Sequence, residues 1–491
     1  MAAQRTVKPG EPAPPATLVI FGGAGDLARR LLTPAIVNLT RDGLIGDDLD
    51  IIIFSRGPDE GIADHLAQHL DLKDAAIKKA WKKRTAKLRY FQADFGDEEA
   101  FARLADELKD AGNIAFYLAV APRFFAPIAE ALGRAKLLDQ KQGFRRLVVE
   151  KPFGHDLKSA RALNKQLLAQ MDESQIFRID HFLGKETVQN IMVARFGNIF
   201  LEALWNNRYV DHVQITAAET VDVGTRGAFY DATGALQDMV PNHLFQMLAM
   251  IGMEPPNSFD AEAVRNEKAK LLDAVRVPTA AEARKEAVRG QYTAGTAGGN
   301  KVKSYRKSPD VAPDSRTETY AALRLWVDSW RWTGVPFYLR TGKALAARDT
   351  EIVIQFKPVA LALFREEEKA DIPPNRLIIQ IQPNEGLAIR FAVKRPGPVV
   401  DTAPVCLDFR YADAFDMGPR TGYETLIYDM LLGDQSLFQR ADMVERGWEI
   451  VEPILKAWQK GEPEDYKAGS TGPSCADELI ERDGRQWHPI S

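Results

Sequence analysis

A doubly wound α/β domain followed by an α+β domain with a large, mostly antiparallel sheet is the fold class that this 491-residue sequence predicts. Three observations carry the expectation. At "TLVIFGGAGDLARRLLTPAIVNL" a short apolar run enters a glycine turn and a helical pattern. Further buried-type runs, "DLDIIIFSR", "NIAFYLAV" and "RRLVVE", follow within the first third of the chain. The rhythm then changes to a succession of strand-like runs with helical stretches beside them. A chain of this length exceeds what one hydrophobic core supports, so two domains are expected.

In chain order, residues 1–16 are a Pro-rich lead-in, expected to be flexible. Residues 17–178 form the first domain, its strands separated by helices such as "PRFFAPIAEALGRAKLL". Residues 179–491 form the second. Its strands are read from "DHVQITAAET", "TYAALRLWVDSW", "PFYLRTG", "TEIVIQFK", "RLIIQIQPNEGLAIRFAVK" and "VCLDFR". The last large apolar pattern, "GYETLIYDMLLGDQSLFQRADMVERGWEIVEPILKAW", contains Gly433 and Gly447 and is expected to split into several helices. A sheet this broad offers a surface for self-association, as a homodimer or a dimer-based tetramer.

Composition removes several function classes. The 64 basic and 68 acidic residues are mixed along the chain and sum to a net charge of -4, which suggests neither a nucleic-acid groove nor a contact with an anionic membrane. Only Cys406 and Cys475 occur, far apart, against a disulfide framework or a structural zinc site. The start lacks an apolar core of signal-peptide type, and no later stretch has the long uncharged run of a membrane span. A reduced, cytoplasmic setting is expected.

Gly22, Gly25 and Ala28 make a Gly-x-x-Gly-x-x-Ala turn after the first strand. Glycine allows the sharp bend and brings backbone N–H groups toward a pyrophosphate at the helix start. Asp26 carries the wrong sign for a phosphate contact and suits holding the turn; with Leu27 it completes the segment expected to border the cofactor. Strand, turn, helix and second strand in this order make a Rossmann-like unit. The second strand ends in Ser55 and Arg56, where an NAD-specific fold places an acid for the ribose hydroxyl. Arg56 offers donors and charge to a 2′-phosphate, and Ser55 a short hydrogen bond, so the expected cofactor is NADP.

Chemistry-bearing residues gather in five further segments. "RLVVEKPFG" places Lys151 where a buried strand leaves the sheet, the edge at which such folds bind ligands, so that it can face both nicotinamide and substrate. In "RIDHFLGKE", Asp180 can orient a histidine, while His181 and Lys185 can meet a dianionic phosphate. In "GALQDMVPNHLFQ", His243 is the best general base, with Pro241 suited to a helix start. Asp180 and Asp238 compete as its orienting acid. "RTGKALAAR" adds Lys343 and Arg348, and "ITAAET" adds Glu219. Cations for phosphate and carboxylates for hydroxyls are the two chemistries of a sugar phosphate.

"GGAGDLARR", "EKPFG", "RIDHFLGKE", "DMVPNHLFQ" and "RTGKAL", in this order, resemble the glucose-6-phosphate dehydrogenase family over nearly the whole chain beyond the lead-in. The resemblance implies oxidation of glucose 6-phosphate at C1 to 6-phosphogluconolactone with NADP, the first oxidative step of the pentose phosphate pathway, and no required metal. It implies His243 as base with Asp180, rather than Asp238, as its partner, and Lys151 between cofactor and substrate. It further implies His181 and Lys185 on the phosphate, Glu219 and Asp238 on sugar hydroxyls, and Lys343 and Arg348 on the phosphate and nearby substrate. Two positions depart from the pattern: Phe182 stands for a usual tyrosine, and Leu31 for a frequent lysine near the glycine turn.

Overall fold

The computed structural model describes residues 10–359, 374–398, 402–415, 418 and 420–490. Residues 1–9 of the expected flexible lead-in lie outside them. The chain folds into two compact units, each drawn from separate stretches. The first comprises Met1–Gly184, Pro256–Asn266 and Gly418–Glu445; the second comprises Lys185–Pro255, Glu267–Met417 and Arg446–Ser491.

The first unit is built on six strands: β1 (Ala16–Phe21), β2 (Leu49–Ser55), β3 (Leu88–Gln92), β4 (Ile114–Leu118), β5 (Arg145–Val149) and β6 (Ile176–Arg178). All pair in parallel, in the order β3-β2-β1-β4-β5-β6. This is the doubly wound order in which ligands bind beyond the carboxyl ends of the strands, where the order reverses between β1 and β4. Every residue of β1, β4 and β5 is buried, as expected of strands covered on both faces. Edge strand β3, "LRYFQ", mixes polar and apolar residues without a continuous run, so its own residues do not announce a strand.

Late stretches complete this unit. Helix Tyr423–Leu432 ends at Gly433, whose φ of 90° closes it in a left-handed cap. The guanidinium of Arg146, on β5, donates to the carbonyls of Met430 and Leu431 at 2.6 and 2.7 Å, filling acceptors that a helix end leaves open. Asn38 likewise donates to Glu424 at 2.7 Å.

The second unit carries nine strands in one sheet: β7 (Val210–Ala218), β8 (Ala287–Thr293), β11 (Tyr320–Trp326), β12 (Pro336–Gly342), β13 (Asp349–Phe356), β14 (Arg376–Gln382), β15 (Gly386–Lys394), β16 (Thr402–Arg410) and β17 (Glu464–Lys467). A separate small hairpin pairs β9 (Gly295–Ala297) with β10 (Asn300–Val302). The order is β16-β15-β14-β13-β7-β12-β11-β8-β17, antiparallel except at β7–β12 and β8–β17. Strands β7, β11, β12, β13, β14, β15 and β16 fall on the runs read from sequence. Strands β8, with Arg289 and Gly290 inside it, and β17, "EDYK", lack an apolar run and were not expected.

Two helical expectations change. Gly447 does not break its helix, which runs Ala441–Trp458; a Cβ there would lie 3.1 Å from the Pro241 carbonyl, so this glycine serves a close approach instead. Pro241 does not begin a helix. Helix Gly227–Met239 continues through a π turn, Val240–Leu244, into helix Phe245–Gly252. The proline has no N–H to give the Gln237 carbonyl, and the Asn242 side chain reaches back to that carbonyl at 3.4 Å instead. Among the described residues, no helix is long and apolar enough to cross a membrane.

Candidate active site

The cofactor end lies in the first unit. The turn after β1 is tied by backbone hydrogen bonds: Gly22 N donates to Phe54 O at 2.8 Å, and Gly25 N to Gly22 O at 2.9 Å. Gly22 has φ 73°, and a Cβ on it would sit 2.4 Å from the Ala119 carbonyl, so no other residue fits without displacing β4's exit. Asp26 turns its carboxylate to Arg29 at 2.6 Å and Arg30 at 3.3 Å, and the Arg29 hydrogen bond leads in holding it below the usual carboxylate range. It therefore braces the first turn, as its charge implied. Leu27 leads into a π turn, Ala28–Leu32, that contains Leu31. His65 Nε2 lies 3.0 Å from the Ala24 carbonyl and supports the loop from the side.

Ser55 closes β2, and exposed Arg56 follows it with its guanidinium 5.9 Å from the Phe95 ring centre. A phenyl ring beneath a guanidinium steadies it while leaving its donors outward. Lys151 follows β5 and precedes a cis Pro152. Its neighbour Glu150 accepts from the Tyr117 hydroxyl at 2.5 Å. Desolvation pushes the Glu150 carboxyl up to about 7, against hydrogen bonds from Tyr117 and Tyr423 and the nearby Lys151 charge that favour ionisation.

Asp180 is buried; its Oδ1 accepts from Phe182 N at 3.0 Å and its Oδ2 from Gln439 Nε2 at 3.4 Å. Two fixed donors hold the carboxylate in one orientation. The His181 ring meets buried Phe182 edge to face, with centres 5.0 Å apart, so Phe182 acts as a packing surface here. Gly184 closes the turn against the backbone of Gly422, too near for any Cβ.

In the second unit, Lys185 stands at the start of helix Glu186–Phe196 and donates to the Gln382 side chain. Arg348 reaches the same Gln382 Oε1 at 2.9 Å, so two expected phosphate cations converge on one amide. Gln382, in turn, donates to Thr350 Oγ1 at 2.9 Å. Lys343 forms an ion pair with Glu219 and lies 5.3 Å from the Tyr230 ring centre. Tyr230 is buried, and desolvation together with the charges of Asp238, Glu318 and Glu219 drives its hydroxyl well above its ordinary pKa. The unit thus brings Glu219, Lys343 and Asp238 around one phenol. His243 sits in the π turn, 1% exposed, four residues beyond Met239, where Asp238's helix ends. Three residues passed over by the sequence reading take part here: Gln382, Tyr230 and Glu318. Gln382 and Glu318 come from segments distant from their partners, and Tyr230, on Asp238's own helix, sits in no motif that marks a site.

Comparison with known proteins bears on the whole chain. The profile of the glucose-6-phosphate dehydrogenase NAD binding domain matches residues 19–190, and that of the C-terminal domain matches residues 192–488. The chain is 45% identical to the glucose-6-phosphate 1-dehydrogenase of Mycolicibacterium smegmatis, covering 97% of this chain and 98% of that one. It is 43% identical to that of Aggregatibacter actinomycetemcomitans, covering 96% of each. Among solved structures, a glucose-6-phosphate dehydrogenase in complex with its substrate glucose-6-phosphate superposes with a TM-score of 0.88 at 33% identity, covering 98% of this chain and 99% of that one. The glucose-6-phosphate 1-dehydrogenase of Mycobacterium avium gives 0.83 at 35% identity, covering 98% and 99%. With both halves matched in order and the likeness running nearly end to end, the chain belongs to the glucose-6-phosphate dehydrogenase family.

Proposed function

We propose that this chain oxidises D-glucose 6-phosphate at C1 to 6-phosphogluconolactone with NADP, the first oxidative step of the pentose phosphate pathway. The observation that carries the reading is the nearly full-length match to glucose-6-phosphate dehydrogenases at 43 to 45% identity. The residues present fit a dinucleotide: Gly22 keeps the turn clear of any Cβ beside the reversal point of a doubly wound sheet. When bound, NADP supplies the carbon that accepts the hydride. Gly22, Gly25, Asp26 and Leu27 shape the pyrophosphate turn, and Ser55 and Arg56 take the ribose 2′-phosphate.

His243 removes the C1 hydroxyl proton, and Asp180 holds its tautomer and stabilises the imidazolium. Burial of the imidazole supports this role, since a base shielded from water keeps a fixed direction. His181 and Lys185 bind the sugar's phosphate, with Lys343 and Arg348 on the phosphate side; the shared Gln382 contact of Lys185 and Arg348 supports their acting together. Glu219 and Asp238 hold sugar hydroxyls, and Lys151 touches both cofactor and sugar. Anchoring the remote phosphate fixes C1 against the base, so binding energy lowers the barrier as well as KM.

Residues 17–178 serve as the dinucleotide-binding domain, and 179–491 as the substrate and dimerisation domain, of a cytoplasmic homodimer or dimer-based tetramer. Val393, Leu407 and Phe409, exposed on β15 and β16, support association through the broad sheet. The test is absorbance at the reduced-nicotinamide band with glucose or glucose 6-phosphate and NAD or NADP. NADPH formation selective for the phosphorylated sugar is expected, and none with a folded, cofactor-binding protein refutes the reading. His243→Asn lowers kcat about 10²- to 10⁴-fold while leaving folding and phosphate binding in place.

A further inference from the structure

The helical run bearing Asp238 and His243 is broken at Gly234, whose φ of 71° and ψ of 172° lie outside any helix. It restarts at residue 235. A helix start leaves its first backbone N–H groups without intrahelical acceptors. Here one residue 82 positions away takes the first two: Ala235 N donates to Glu318 O at 3.0 Å, and Leu236 N to Glu318 Oε1 at 3.0 Å. The break is shaped around that carboxyl, since a Cβ at 234 would fall 2.5 Å from Oε1. Glu318 is itself buried, and it lines an open cleft with Asp231, Gln237, Arg289, Arg316 and Trp458.

We propose that Glu318 is a positioning residue for the reaction: it caps the restarted helix from the loop before β11 and so sets where Asp238 and His243 stand. The inference rests on the function proposed above. Groups facing Glu318 come from every side. Arg289 on β8 favours its ionised form, and Arg316 flanks the cleft. Tyr230, itself facing Asp238 and Glu219, lies on the preceding helical segment. Asp231 on that segment is already held by Tyr305 at 2.9 Å and by Ser315. Burial outweighs the Leu236 hydrogen bond and the Arg289 charge, and pushes the Glu318 carboxyl up to about 7. A raised acid pKa means that the neutral form fits the folded arrangement better than the charged one. Opening that brings Glu318 into water is therefore hardest below about pH 4.5 and becomes easier as pH rises through 7.

Glu318→Gln keeps the acceptor oxygen and the volume but cannot ionise; Glu318→Ala leaves the Leu236 N–H without its partner. Amide exchange across 235–244, corrected for intrinsic rates and measured without substrate, reads the cap independently of turnover. At pH 8, Glu318→Gln should be about tenfold more protected than the wild type, and close to it at pH 4.5. Glu318→Ala should be about tenfold less protected than Glu318→Gln at both. In parallel, the ratio of kcat/KM for glucose 6-phosphate, Glu318→Gln over wild type, should climb from about one below pH 6 to several-fold at pH 8, with KM for NADP unchanged. A ratio independent of pH in both readouts, or a Glu318→Ala protein as protected as the wild type at pH 4.5, overturns the proposal. Absence of wild-type turnover would sink the function and the catalytic half of this inference, while exchange still decides the cap.

Discussion

Two left-handed glycines, Gly22 and Gly234, each stand before a helix that soon passes through a π turn, at Ala28–Leu32 and Val240–Leu244. They differ in what surrounds the restart. At Gly22 the backbone ties its own turn, the residue leading into the helix makes no side-chain cap, and the nearest carboxylate, Asp26, is turned to arginines. At Gly234 a buried carboxyl from another segment takes the first two donors. One backbone device thus serves two ends. A helix start with no protein carboxylate on it suits an anionic ligand, whereas one stoppered by a glutamate is a fixed support.

The contrast can be broken most severely at Gly22. Gly22→Ala meets the Ala119 carbonyl and an unfavourable φ together, so it should cost about 4 kcal/mol in denaturant unfolding and abolish NADP binding by calorimetry. Next in size is pH. Desolvation raises both Glu150 and Glu318 to about 7 from 4.5. Between those values the folded chain holds protons that the unfolded chain has released, so stability is greatest below about pH 4.5 for these groups and falls as pH rises through 7. Each contributes on the order of 3 kcal/mol of that fall. Unfolding of Glu318→Gln should therefore lose its share of the slope, and a slope identical to the wild type would refute the assignment.

Gly234→Ala should cost about 2 kcal/mol, less than at Gly22, because a carboxylate can shift where a backbone carbonyl cannot; melting together with KM for glucose 6-phosphate would show it. The smallest change is expected at Arg56→Glu, with folding unaltered and the NADP-to-NAD preference in kcat/KM lowered about tenfold or more.

Sequence legibility follows the same line between local and distant causes. Strands β1, β2, β4 and β5 were readable because burial on both faces demands unbroken apolar runs, and β12 was readable to the residue. Strands β3, β8 and β17 owe their place to neighbours, and nothing in their own residues announces it. Asp26 was legible as a brace because its charge excludes the alternative. The π turn at Pro241 was not, since a proline signals a start as readily as an interruption that Asn242 repairs. Glu318 and Gln382 were invisible for the opposite reason: their partners lie 82 and 197 residues away.

The composite make-up of the first unit also bears on its birth. Arg146 donates to the carbonyls of Met430, Leu431 and Leu432, and Asn38 donates to Glu424. On a ribosome adding about 5–20 residues each second, the nascent sheet would wait roughly 15–60 s between emergence of β5 and arrival of those closing groups. During that interval a guanidinium destined for the interior lacks its carbonyls, which makes the half-made chain a natural client for chaperones.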